Sequence, residues 1–219
     1  MHIADNLKKI ADELPDQVTL VAVSKTKPIE DILIAYESGQ RVFGENKIQE
    51  MTQKWEVLPK DIQWHMIGHV QRNKVKYMAE YVALVHGVDS LKLLQEINKQ
   101  ASKCGRIINC LLQVHIAEEE TKFGFDDNEL HELITSEALK QLNHIQVVGL
   151  MGMATYTDDE AQVRKEFKHL KTLYESLKNK LPQFSVLSMG MSGDYKMAIA
   201  EGSTMVRIGS SIFGERNYH

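Results

Sequence analysis

A chain of 219 residues, 43% of them hydrophobic and 26% charged, carries enough apolar material to bury a core, which excludes global disorder. Its 26 Lys and Arg against 30 Asp and Glu leave a formal net charge of −4, which argues against a dedicated nucleic-acid binder, whose mark is a basic excess. The two cysteines, Cys104 and Cys110, are too few for a disulfide scaffold and lack zinc-ligand spacing, so Cys110 reads as a small hydrophobe and Cys104 as a surface thiol.

The N-terminal MHIADNLKKIADELPDQ is charged and amphipathic, without the apolar run or small-residue cleavage site of a secretory signal. TLVAVS (19–24) is a continuous apolar run with β-branched residues, the pattern of a strand buried on both faces. PIEDILIAYESG (28–39) opens on proline and ends on glycine, the punctuation of a helix. RVFG (41–44) then reads as strand, 45–58 as helix, IQWHMIG (62–68) as strand and 73–80 as helix. YVALVHGV (81–88) is strand, and 90–105 is helix with Ser90 as N-cap and Gly105 at its end. INCLLQVHI (108–116), IQVVGLMGM (145–153), FSVLSMG (184–190) and TMVRIGS (204–210) complete the strands, with helices at 126–139, 158–181 and 193–202 between them.

Strands alternating with helices imply parallel βαβ units. Eight such units within residues 1–219 predict a single domain, a (β/α)8 TIM barrel with an extra helix before the first strand. An open doubly wound sheet is the alternative, but no G-x-G-x-x-G or G-x-x-x-x-G-K-[ST] is present to support it. No segment approaches the roughly 18 apolar residues of a membrane span, and the expectation is a cytoplasmic protein with no membrane or nucleic-acid partner.

Barrel chemistry gathers at the C-terminal ends of the strands. There, Lys25 directly ends the first apolar run. A poorly hydrated amine is held less firmly in its charged form, and a neutral amine can form a Schiff base with an aldehyde; the other reading is a lysine that only snorkels to the rim. Ser192 and Gly193 stand at the start of the predicted helix 193–202, and Gly209, Ser210 and Ser211 follow the last strand. Backbone N–H groups and hydroxyls so placed can hold a phosphate; ordinary capping and tight turning are the alternative. Arg207 interrupts the apolar TMVRIG and needs an acceptor, either a structural partner such as Glu45 or Glu201, or a cofactor atom. An amine, a phosphate cup and a buried guanidinium together point to pyridoxal phosphate (PLP), with the arginine facing the ring nitrogen.

The segments AVSKTKP (22–28), FGENKIQE (43–50), WHMIGHVQRNK (64–74), KFGF (122–125), GLMGMAT (149–155) and MGMSGDYKMAIAEGSTMVRIGSSIFGER (189–216) run in order along nearly the whole chain. In them the sequence resembles the pyridoxal phosphate homeostasis (proline-synthase co-transcribed) family. The resemblance implies a barrel similar to the N-terminal domain of alanine racemase, with PLP held as a Schiff base on Lys25. It further implies phosphate contacts from Ser192, Gly209 and Ser210, a ring-nitrogen contact from Arg207, and Asn46 lining the cofactor; Gly193 joins the cup beside Ser192. HMIG and VQRNK depart mildly from the family's usual forms of those segments. The implied function is that of a PLP carrier or buffer in vitamin B6 homeostasis, affecting amino-acid balance, without efficient turnover. Apo PLP-enzymes are the expected recipients, and a monomer is the expected state. The alternative is a small PLP-dependent amino-acid racemase, which would need a second base opposite Lys25; Lys122, in the loop 117–125, is the best candidate.

His65 and His69 lie four apart at a strand end, where structural or rim roles are favoured over metal binding. Glu118, Glu119 and Glu120 read as a solvated acidic loop, and Met151, Met153, Met189 and Met191 as barrel filling.

Overall fold

The run TLVAV folds as strand β1 (Thr19–Val23), and its alternation decides two faces at once. Val21 and Val23 turn to the barrel interior, while Ala22 packs outward under the helices. In the computed structural model, which describes residues 3–118 and 123–214, seven more strands follow the same logic. They are β2 (Val42–Glu45), β3 (Gln63–Met66), β4 (Val82–Val88), β5 (Ile108–Gln113), β6 (Ile145–Met151), β7 (Val186–Met191) and β8 (Met205–Ile208). Each pairs in parallel with the next, and β8 returns to β1 with Val21 opposite Arg207, closing the barrel.

Helices α1 (Ile3–Glu13), α2 (Ile29–Glu37), α3 (Ile48–Val57) and α4 (Leu91–Lys103) precede or join the first five strands. A six-residue 3₁₀ helix, Arg72–Tyr77, occupies the β3–β4 crossover in place of the predicted α-helix. It buries Val75 alone, so no apolar stripe extends it into a longer helix. The predicted helix 126–139 divides into α5 (Asp127–Thr135) and α6 (Glu137–Lys140). Ser136 causes the break: its backbone is extended, and its Oγ accepts from Leu139 N–H to begin the second piece. Asp126 and Glu129 start α5 with a reciprocal capping box. After β6 come α7 (Glu160–Lys178), α8 (Tyr195–Ala200) and α9 (Ser210–Phe213), the last two on either side of β8.

Two apolar clusters result. The larger lies between the strands and the helix ring, with Phe43, Trp64, Phe167, Phe184 and Phe213 fully buried in it. The smaller, Val21, Leu84, Leu111, Val148, Met151 and Met205, fills the barrel interior. Above it, at the C-terminal ends of the strands, the interior turns polar.

Candidate functional site

A cavity of about 850 Å³ opens at those strand ends. Lys25, Asn46, Ser192, Gly193, Arg207, Gly209 and Ser210 all line it, together with residues that strand-end reasoning had not assigned to a site: His69, Gln113, Phe123, Met153, Tyr156 and Asp194.

Lys25 follows β1 and is partly buried. Its neighbours are fastened on both sides. Ser24 donates through Oγ to Glu45 Oε1 at 2.6 Å, and its carbonyl accepts from Lys54 Nζ at 2.8 Å. Thr26 N–H donates to Glu50 Oε1 at 2.6 Å. Lys54 Nζ also donates to Glu45 Oε1 (2.8 Å) and Glu50 Oε1 (2.7 Å), so one ammonium ties β1, β2 and α3 together. Thr26 holds φ +63°, the only positive φ of a non-glycine residue among those described, and a conformation a β-branched side chain adopts only under external constraint. One residue further on, Lys27 Nζ donates to the carbonyls of Phe213 (2.9 Å) and Gly214 (3.0 Å). Lys27 therefore closes the β1 loop against the β8 side, although it too borders the cavity.

Glu45 is fully buried, and burial pushes its carboxyl up to about 7 despite the opposing pull of Lys54 and Ser24. Only Oε1 carries these contacts; Oε2 is buried without a hydrogen-bond partner. Asn46 follows at the mouth, where Gly68 presses against its backbone so closely that any Cβ at Gly68 would collide with it.

Arg207 is 4% exposed. Neither structural acid weighed for it takes that role: Glu45 pairs with Lys54, and Glu201 pairs with Arg164 at 3.3 Å. Its Nη1 donates to Ser188 Oγ at 2.5 Å and its Nη2 to the Gly152 carbonyl at 3.1 Å. Burial lowers its pKa to about 10, with Asp194 acting in the opposite sense, so the guanidinium remains charged at neutral pH. No carboxylate is ion-paired to it among the described residues. Its direct acceptors are neutral, and because it borders the cavity a ligand atom there can also accept from it.

Ser192 and Gly193 do not begin a helix. They lie in the turn before α8, which starts at Tyr195 after Asp194, and Asp194 Oδ1 accepts from Met191 N–H at 2.6 Å. Ser192 Oγ accepts from Gly209 N–H at 3.3 Å, which brings the β7 and β8 turns into direct contact. A Cβ at Gly193 would meet no protein atom within 4 Å, so protein packing alone does not require glycine there.

His65 and His69 are separated by the fold. His65 turns into the barrel, whereas His69 pairs with Asp89 at 3.2 Å and stacks on Phe123 with ring centroids 4.3 Å apart. No group of three metal-ligating side chains occurs among the described residues. Met151 and Met189 are barrel and core filling, and Met153 and Met191 border the cavity. Glu119, Glu120 and Lys122 lie outside the described residues.

Fold and cavity together define a class. The chain matches the family described as "Alanine racemase, N-terminal domain" over residues 1–217. It superimposes on alanine racemase of Clostridium difficile 630 with a TM-score of 0.79 over 98% of this chain and 56% of that one, at 16% identity, a likeness of fold.

Within that class the relationship is closer. The pyridoxal phosphate homeostasis protein of Vibrio alginolyticus is 42% identical over 210 residues, 93% of this chain and 89% of the relative. That of Pasteurella multocida is 41% identical over 206 residues, 92% and 88% of the two chains. A structure of PipY from Synechococcus elongatus PCC7942 with PLP bound superimposes with a TM-score of 0.89 at 36% identity, covering 97% of this chain and 100% of PipY. The chain belongs to the pyridoxal phosphate homeostasis protein family.

Proposed function

We propose that residues 1–219 act as one PLP-binding unit that buffers PLP or delivers it to apo PLP-enzymes, without an efficient turnover reaction of its own. The observation that carries this reading is the meeting of Lys25, Arg207 and the Ser192–Gly209 turn pair on one cavity. Bound PLP supplies an aldehyde and an electron-accepting ring.

Lys25 is the amine for that aldehyde, and its fastened neighbours fix where the amine can reach. Ser192, Gly193, Gly209 and Ser210 offer hydroxyls and backbone N–H groups for the phosphate, and Asn46 lines the opening. Arg207 faces the ring nitrogen as a donor. Because it stays cationic and no carboxylate is ion-paired to it among the described residues, it favours a ring nitrogen that accepts a hydrogen bond over one that bears a proton. Such a ring is a weak electron sink, which supports the carrier reading over racemisation. The relatives support the same reading: the PipY structure holds PLP, and the similar proteins of Vibrio alginolyticus and Pasteurella multocida are pyridoxal phosphate homeostasis proteins.

The test is to incubate the PLP-loaded protein with a panel of L- and D-amino acids, following racemisation, decarboxylation and transamination, while measuring PLP transfer to an apo-enzyme. Transfer without turnover is expected. Turnover above about 1 per second, near the low end for enzymes, would replace the carrier reading with the racemase one.

A further inference from the structure

Beneath the cavity, a chain of buried polar groups crosses the barrel interior. It runs from Arg207 on β8 to Ser188 on β7, His86 on β4 and His65 on β3, all of them buried. Arg207 Nη1 donates to Ser188 Oγ at 2.5 Å, Ser188 Oγ lies 3.0 Å from His86 Nδ1, and His86 Nε2 lies 3.0 Å from His65 Nδ1. The interior of a (β/α)8 barrel is ordinarily filled with branched apolar side chains, as Val21, Leu84 and Leu111 fill it here. Placing two imidazoles and a hydroxyl among them costs free energy unless their hydrogen bonds are made.

The order of the protons follows from counting them. A guanidinium can only donate, so Ser188 Oγ accepts from Arg207. The single hydroxyl proton of Ser188 then has His86 Nδ1 as its acceptor, there being no other among the described residues. His86 therefore carries its proton on Nε2 and donates to His65 Nδ1, which leaves the proton of His65 on Nε2. The reverse order would strand the Ser188 proton. Both rings are neutral: burial pushes His65 down to about 3 and His86 well below its ordinary value.

We propose that His86 and His65, acting through Ser188, are positioning residues for Arg207, fixing its guanidinium at the cavity without neutralising it. A carboxylate at Ser188 would hold the arginine as firmly but would cancel the charge that discriminates between ring-nitrogen states. A chain of neutral groups ending in one hydroxyl fixes direction without itself cancelling any of that charge. The inference rests on the reading of the cavity as a PLP site with Arg207 opposite the ring nitrogen.

The test compares affinity for PLP with affinity for 1-deaza-PLP, in which a C–H replaces the ring nitrogen. Wild type is expected to prefer PLP by about tenfold or more, the scale of one charge-assisted hydrogen bond. In His86→Leu the preference should fall toward one. Ser188→Ala removes only a hydroxyl and carries the same test if the leucine variant does not fold. His86→Asn keeps an acceptor for Ser188 and should retain most of the preference. A purely structural role would weaken both ligands together and leave their ratio intact, so an unchanged ratio in both Ser188→Ala and His86→Leu overturns the inference while the Arg207 contact stands. The inference is also overturned if His86→Asn falls as far as His86→Leu. A wild-type ratio near one overturns the ring-nitrogen reading and the inference with it.

Discussion

Arg207 shows how one residue can be half legible in a sequence. An arginine inside TMVRIG had to find an acceptor, and its place on the strand put it at the mouth. What the sequence could not say is that the obvious acids, Glu45 and Glu201, are taken by Lys54 and Arg164, because those pairings depend on how each helix packs against its neighbours. Reversing the charge tests the contact. Arg207→Glu should favour a protonated ring, change the absorption spectrum of bound PLP, and weaken PLP binding by about tenfold to a hundredfold, the worth of a hydrogen bond to a charged group. A folded variant with an unchanged spectrum and affinity would remove Arg207 from the site. The buried histidines escaped reading for a different reason. His65 was visible, but its four-residue spacing from His69 suggested a pair, and the strand sends the two in different directions.

At the scale of elements, β1, β2 and α3 are joined by the Lys54–Glu45–Glu50 cluster. The i,i+4 pair Glu50–Lys54 resembles an ordinary solvated helix pair in the sequence, where it would be worth a few tenths of a kcal/mol. The fold instead buries Lys54 against Glu45, and nothing local announces that. Lys54→Met leaves Glu45 buried without its cation and should destabilise the protein by roughly 3–5 kcal/mol, measurable by urea unfolding; a loss under about 1 kcal/mol would mean the pair behaves as a surface one.

The same cluster has a pH signature. The carboxyl of Glu45 is raised from 4.5 to about 7, so its contribution to stability is present below 4.5 and lost as pH rises through 7. The two buried imidazoles act oppositely. They are lowered from 6.5, so their contribution is present above 6.5 and lost as pH falls toward 3. Between about 4.5 and 6.5 the two trends therefore oppose each other. Glu45→Gln should remove the downward trend and leave stability rising more steeply with pH across that window, as followed by thermal midpoint. An unaltered pH profile in a folded Glu45→Gln protein would contradict a raised carboxyl.

For the molecule as a whole, the alternation of buried-type strands with helices made the barrel legible from TLVAVS to TMVRIGS. Only closure, Val21 opposite Arg207, is a long-range fact that no local pattern contains. The parallel pairing of β7 with β8 brings their turns together, so that Gly209 N–H reaches Ser192 Oγ across 17 residues of sequence. These turns should recognise phosphate. Each hydrogen bond to a dianion is among the stronger kinds, so pyridoxal, which lacks the phosphate, should bind much more weakly than PLP. Equal affinities would place the phosphate elsewhere.

Presentation of Lys25 to PLP is the proposal on which the site stands or falls. Borohydride reduction of the PLP-loaded protein, followed by digestion and mass mapping, reads the attachment point directly. The cofactor mass is expected on the peptide containing Lys25, with no such adduct after Lys25→Ala. Cofactor mass on Lys27, Lys47 or Lys74 instead would contradict it.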